Sequence, residues 1–220
     1  MRVALAVLVS LSFAAPASAK KQSVDEGEVT FVFDDTKISP ELVKSAARIR
    51  PDAQLTADVI SSSPSMSLMK VSAKNGWQSW ATWGPTWTKQ AREELARLRK
   101  TSEELAQQKV PTELEPARDY YVNELATMAA REEAKMNYLE HHDVAALKKP
   151  IAGADVATKC APATGKVVAA GTDAASVYKA LYFDWSNCAL NASSDKKYPQ
   201  AAWTAFTKKY GVKTKHTSGD

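Results

Sequence analysis

The chain is sparing in the residues that carry most recognisable chemistry. It has two cysteines, three histidines and eight glycines in 220 residues. No C-x-x-C or C-x-x-C-H pair occurs, which excludes the usual dithiol and haem-attachment signatures. Walker loops, G-x-G-x-x-G fingerprints and G-x-S-x-G elbows are equally missing, so no sequence motif assigns a cofactor. Beyond the first nineteen residues no run approaches eighteen apolar positions, which excludes stable insertion of a helix in a membrane.

The three histidines offer little to a metal. His216 lies near the C-terminus, and His141 and His142 are neighbours on a helical segment, so their side chains diverge by about 100°. Helical partners of His141 are Asn137, Tyr138, Val144 and Ala145; those of His142 are Tyr138, Leu139, Ala145 and Ala146. None is a carboxylate, a thiol or an imidazole, and neither H-E-x-x-H nor E-x-x-H occurs. Ser67–Lys70 fits S-x-x-K, but the pattern recurs at Ser176–Lys179 and Ser194–Lys197 without its S-D-N and K-T-G partners. Asp34-Asp35 lacks calcium-loop spacing. Glu132, Glu133, Glu140 and Asp143 form acidic patches that read as a solvated helix face. Asn191-Ala192-Ser193 is a glycosylation sequon, meaningful in a eukaryotic host.

Against these absences stands a leader. MRVALAVLVSLSFAAPASA carries Arg2 in a short n-region, an apolar stretch from Val3 to Ala15, and Ala17-Ser18-Ala19 as a cleavage signal before Lys20. Residues 1–19 are therefore read as a secretory signal peptide, and the mature protein is expected to be secreted or periplasmic. Cleavage removes Arg2 and lowers the formal net charge from +4 to +3. So mild a charge does not argue for nucleic acid. In an exported chain the pair Cys160 and Cys188 is expected to form a disulfide.

Signals for strand and helix mix in residues 20–75, which are read as a small α/β lobe. Val29–Phe33 is β-branched and aromatic, and 55–60 and 67–72 are weaker strand candidates. Ser39-Pro40-Glu41 reads as an N-cap, a first-turn proline and a first-turn acid, opening a helix that stops before Pro51. Residues 76–211 read as a helical domain. Ala91, Leu95, Leu98, Ser102 and Leu105 step by 4, 3, 4 and 3, a narrow heptad stripe. After Val110-Pro111, Thr112 and Glu115 suggest a capping box. The next helix carries Leu114, Tyr121, Leu125, Met128, Met136 and Leu139 and is expected to reach about Leu147. At 1.5 Å per residue it would be about 50 Å long, the second arm of an antiparallel hairpin. Further helices are expected after Asp173 and from Pro199 to Gly211. Residues 212–220 read as a disordered tail. The whole predicts a mainly α protein, with a long antiparallel helical hairpin plus C-terminal helices and a small N-terminal α/β lobe.

The densest feature is NGWQSWATWGPTWTKQ, with Trp77, Trp80, Trp83 and Trp87. On an ideal helix they share a face about 120° wide. Gly84-Pro85 is expected to break that helix, so the four rings would straddle a corner and plug the junction of lobe and hairpin. A ring left exposed there would suit a glycan, since tryptophan offers a flat face and an N–H donor. The function expected from the sequence is an exported, soluble, non-catalytic binding or scaffolding protein of the cell envelope, its partner an unidentified envelope protein or glycan. Two rivals are a glycan- or peptidoglycan-binding module using the tryptophans, and an enzyme of unrecognised type drawing on acids of the long helix and His141 or His142.

Overall fold

The computed structural model describes residues 21–26, 29–53, 80–193 and 196–216; for Glu26, residues 80–87 and His216 it gives the backbone alone. The architecture is mainly α with a small antiparallel sheet, as the sequence predicts. Chain order is β1 (Lys21–Glu26), β2 (Val29–Asp34), α1 (Pro40–Arg48), α2 (Trp80–Gln107) and α3 (Glu115–His141). There follow α4 (Val156–Lys159), α5 (Ala161–Ala169), α6 (Ala174–Lys179), a π-helical segment (Ala180–Trp185), α7 (Ser186–Ser193), α8 (Gln200–Tyr210) and β3 (Lys213–His216). The strand candidates at 55–60 and 67–72 lie outside the described residues, as does the leader.

β2 is the central strand, paired antiparallel to β1 and to β3 with Val29 opposite both Glu26 and His216. Its alternation points Val29, Phe31 and Phe33 inward, where all three are buried. The expectation of a disordered tail from 212 is corrected here: residues 213–216 form an edge strand. Lys213, Thr214 and Lys215 are exposed and polar, which is why no hydrophobic alternation announced it. β1 was missed for the same reason, since of KQSVD only Val24 is buried.

α1 starts as its sequence dictates. The Ser39 hydroxyl accepts from the Leu42 N–H at 3.3 Å and Pro40 occupies the first turn. Val43, Ala46 and Ala47 turn inward against the sheet.

α2 and α3 form the antiparallel hairpin. Ala91, Leu98, Ser102 and Leu105 are buried along the seam. The Ser102 hydroxyl donates to the Val122 carbonyl at 3.2 Å, so a polar heptad position is satisfied by the opposite helix. On the rim, Arg92 pairs with Glu140 at 2.7 Å and Arg99 with Glu133 at 2.8 Å. Each pair is one heptad from the other on both helices, as a hairpin with a repeating seam requires.

Three expectations for the hairpin are corrected. α2 is continuous through Gly84-Pro85 from Trp80, so no corner lies there. Pro85 stands in the second turn, where its missing N–H removes one helical hydrogen bond while the turns on either side continue. Second, α3 ends at His141: His142 adopts φ 52 and its N–H returns to the Tyr138 carbonyl at 2.8 Å. That left-handed residue closes the helix six positions before Leu147. Third, Thr112–Leu114 is a 3₁₀ turn, and neither it nor α3 takes a side-chain cap; Glu115-Pro116 open α3 instead.

Two clusters of buried side chains sit at opposite ends of the hairpin. The first joins Phe31, Val43, Leu105, Leu114 and Leu125 with Trp203 and Phe206 of α8. The second joins Ala91, Met136 and Tyr138 with Leu147, Val167, Leu181 and Trp185. The hairpin is therefore the beam between a sheet end and a helical end.

Candidate functional site

Ordinary packing accounts for most of the second cluster, but a band of polar groups runs through it where α2, α3 and the π-helical segment meet. Lys135 is only 3% exposed, and its Nζ lies 2.5 Å from Glu132 Oε1 and 4.1 Å from the centre of the Tyr182 ring. Glu94, facing from α2, is also 3% exposed. Arg131 lies alongside, its Nε buried without a hydrogen-bond partner among the described residues. Tyr178 stacks on Tyr182 with ring centres 6.1 Å apart and interacts with Thr88 of α2.

The electrostatics follow from burial. Desolvation pushes the Tyr182 hydroxyl well above its ordinary value, with the carboxylates of Glu132 and Glu94 and the Tyr178 hydroxyl adding to it. Tyr178 is raised to about 12, again mainly by burial. Arg131 is lowered by desolvation, opposed by Glu132 and Glu124. A buried ion pair of this kind loses hydration on both sides and persists because each partner compensates the other. Its chemistry is the fixing of one ammonium against one carboxylate and one aromatic face, which ties the hairpin to the C-terminal helices.

The π-helical turn carries Tyr182 into this arrangement. Ala180, Leu181, Tyr182 and Trp185 are all buried. Three consecutive residues would spread over more than half the circumference of an α-helix, at about 100° each. Helices α5, α6 and α7 all pack against this segment, so consecutive residues are buried on different sides of it, and such turns recur at functional positions. The run ALYFDW reads in sequence as a plain apolar helix, so this turn left no signal there.

Cys160 and Cys188 are bonded, with their Cα atoms 5.8 Å apart. The bond joins the α4–α5 junction to α7 and closes a loop with a sequence separation of 28. Asp155 caps α4 by accepting from the Thr158 N–H at 3.0 Å, which seats Cys160 at the end of that turn.

The tryptophan expectations fall largely outside the described residues. Trp77 lies outside them altogether, and the side chains of Trp80, Trp83 and Trp87 are not described although their backbone opens α2. The other two tryptophans are core: Trp185 is fully buried and Trp203 packs edge-on against Phe31 at 6.3 Å. His141 and His142 are exposed, and His142 serves the α3 terminus. Ser67 and Ser194 lie outside the described residues, and Ser176 sits in the first turn of α6, which Asp173 caps. Asp34 accepts from the backbone and hydroxyl of Thr36, and Asp35 from Gln22, so both serve the β2 turn. Of the acidic patch, Glu133 and Glu140 pair across the hairpin and Glu132 holds Lys135. Asn191 is exposed on α7.

Among the described residues no helix is long and apolar enough to cross a membrane. Searches for related proteins found no match to any family model, curated protein or solved structure.

Proposed function

We propose that this chain is an exported binding or scaffolding protein of the cell envelope, acting by contact rather than by catalysis. The observation that supports this reading best is the outward face of the α2–α3 hairpin. Glu93, Lys100, Glu103 and Glu104 stand exposed along α2 while the seam beneath them is buried. A cluster of buried side chains grips the hairpin at each end, so the face is held before any partner arrives. Preorganised charged faces lose little entropy on association and derive specificity from charge pattern. The disulfide favours the same reading, because such bonds persist in oxidising compartments outside the cytosol.

A photo-crosslinking residue placed at Glu103 in the native host tests it, with Thr172 as the control position. The expected result is a discrete adduct from Glu103 alone in the envelope fraction. Adducts of the same pattern from both positions, or from neither, would overturn the proposal. Saccharide capture by Trp77–Trp87 is the alternative, and quenching of tryptophan fluorescence by soluble envelope glycans would bring it forward.

A further inference from the structure

Near the sheet end of the hairpin, three tyrosines form a triangle. The ring centre of Tyr120 lies 5.2 Å from that of Tyr121 and 5.6 Å from that of Tyr198, and both contacts are edge-to-face. Two of the three hydroxyls are committed. Tyr121 donates to the Arg50 carbonyl at 2.8 Å, and Tyr198 to the Ile49 carbonyl at 2.8 Å. Tyr120 is the exception: its hydroxyl makes no hydrogen bond among the described residues, and the residue lines a groove of about 350 Å³.

The groove contains other groups with capacity to spare. Lys196 and Lys197 line it and are exposed, and neither makes a hydrogen bond or close ion pair among the described residues. The field of Lys196 reaches Glu124, one turn beyond Tyr120. Asn123 donates its Nδ2 to the Asp119 carbonyl at 2.6 Å, which fixes its plane and leaves Oδ1 as an acceptor. The Asp119 carboxylate also lines the groove and pairs with Arg118 at 2.9 Å. Pro116 and Pro199 supply rigid apolar walls. The groove thus combines a braced aromatic ring, a fixed amide, two cations without an ion-pair partner among the described residues, and one carboxylate held by Arg118.

From this combination we infer that the Tyr120 groove binds an acidic saccharide, the ring and prolines taking a pyranose face and Lys196 and Lys197 its carboxylate. A flat C–H face packs on an aromatic ring, while a planar side chain such as Asn123 matches paired hydroxyls. Small-ligand sites span about 300–1,000 Å³, so the groove suits one or two sugar rings. The inference stands apart from the hairpin face and from the tryptophans.

Titration of the mature protein with trigalacturonate tests it, with cellotriose and inorganic triphosphate as comparison ligands, followed by calorimetry and by the Asn123 side-chain amide resonance. Saturable binding of trigalacturonate is expected, with cellotriose weaker and the Asn123 amide shifting. Lys196→Gln/Lys197→Gln, at exposed positions, should weaken binding about tenfold without moving the melting temperature. Tyr120→Ala should weaken it about tenfold too, and Tyr120→Phe, which keeps the ring, by less. No saturable binding, binding untouched by these variants, or triphosphate binding as tightly and independently of Tyr120 would overturn the inference. Discrete crosslinking from Glu103 would survive any of those results, so the two proposals fail separately.

Discussion

The indole N–H of Trp185 donates to the carbonyl of Leu147 at 3.0 Å, and both residues are fully buried. The bond joins the π-helical turn to the connection after α3, across 38 residues of sequence. Trp185→Phe keeps most of the ring volume and leaves that carbonyl unpaired, for an expected loss of about 1–3 kcal/mol. Trp185→Ala adds a cavity and should cost about 3–5 kcal/mol. Urea unfolding followed by circular dichroism measures both, and equal losses would show that the hydrogen bond contributes more than the packing.

Removing the disulfide should loosen the helical end. Cys160→Ser/Cys188→Ser is expected to lower stability by about 3–4 kcal/mol, on the loop-closure argument for a separation of 28. The native protein should take up no maleimide until it is reduced. Two thiols reacting without reductant would contradict the bond.

Lys135 should tolerate removal only together with its carboxylate. Lys135→Ala strands Glu132 in a mostly buried position, and the expected cost is about 3–5 kcal/mol. Lys135→Met/Glu132→Gln keeps the volume and removes both charges, and should recover most of that loss. A double-mutant cycle in guanidinium separates the pair from its packing.

Alkaline titration should reveal the buried tyrosines. Tyr121 and Tyr178 are raised to about 12, and Tyr182 and Tyr198 are raised as well, chiefly through burial. For such groups the folded state prefers the neutral phenol. Their contribution to stability is therefore full below the unfolded value near 10 and is lost as pH rises through the folded values. Absorbance of tyrosinate at pH 11 should account for no more than three of the seven tyrosines, the remainder appearing only with loss of helical circular dichroism. Ionisation of all seven while the helices persist would contradict the packing of these rings.

The hairpin was legible because Leu98, Ser102 and Leu105 repeat on a heptad and Pro111 separates the arms; a period and a breaker are local signals. Ser39-Pro40 marked α1 for the same reason. His142 was not legible as a helix end, since a left-handed histidine is selected by the packing of the chain downstream of it and carries no glycine to mark it. β1 and β3 escaped because edge strands beside β2 need bury few side chains, and their register is supplied by the partner strand. Lys135 was hidden in a charged run that reads as solvent-facing, and only the arrival of Tyr182 from a distant segment makes its burial tenable. The Tyr120 groove is assembled from α3 and the segment before α8, so no local motif could have indicated it. In sequence Tyr121 falls on the apolar stripe and Tyr120 beside it, and the structure ties the Tyr121 hydroxyl to the carbonyls of Arg50 and Ala53.

Because β2 pairs on one side with β1 and on the other with residues 213–216, the sheet joins the beginning of the described chain to its end. Phe31 also waits for Trp203, which arrives equally late. During synthesis a β1–β2 ribbon can form early, yet two strands alone are marginal in water and one edge of β2 stays unpaired. Closure of so long a loop is intrinsically slow. β3 is thus the latch of β2, and a ribosome that stalls before residue 213 leaves a chain whose helices can pack but whose aromatic strand is open to whatever meets it first.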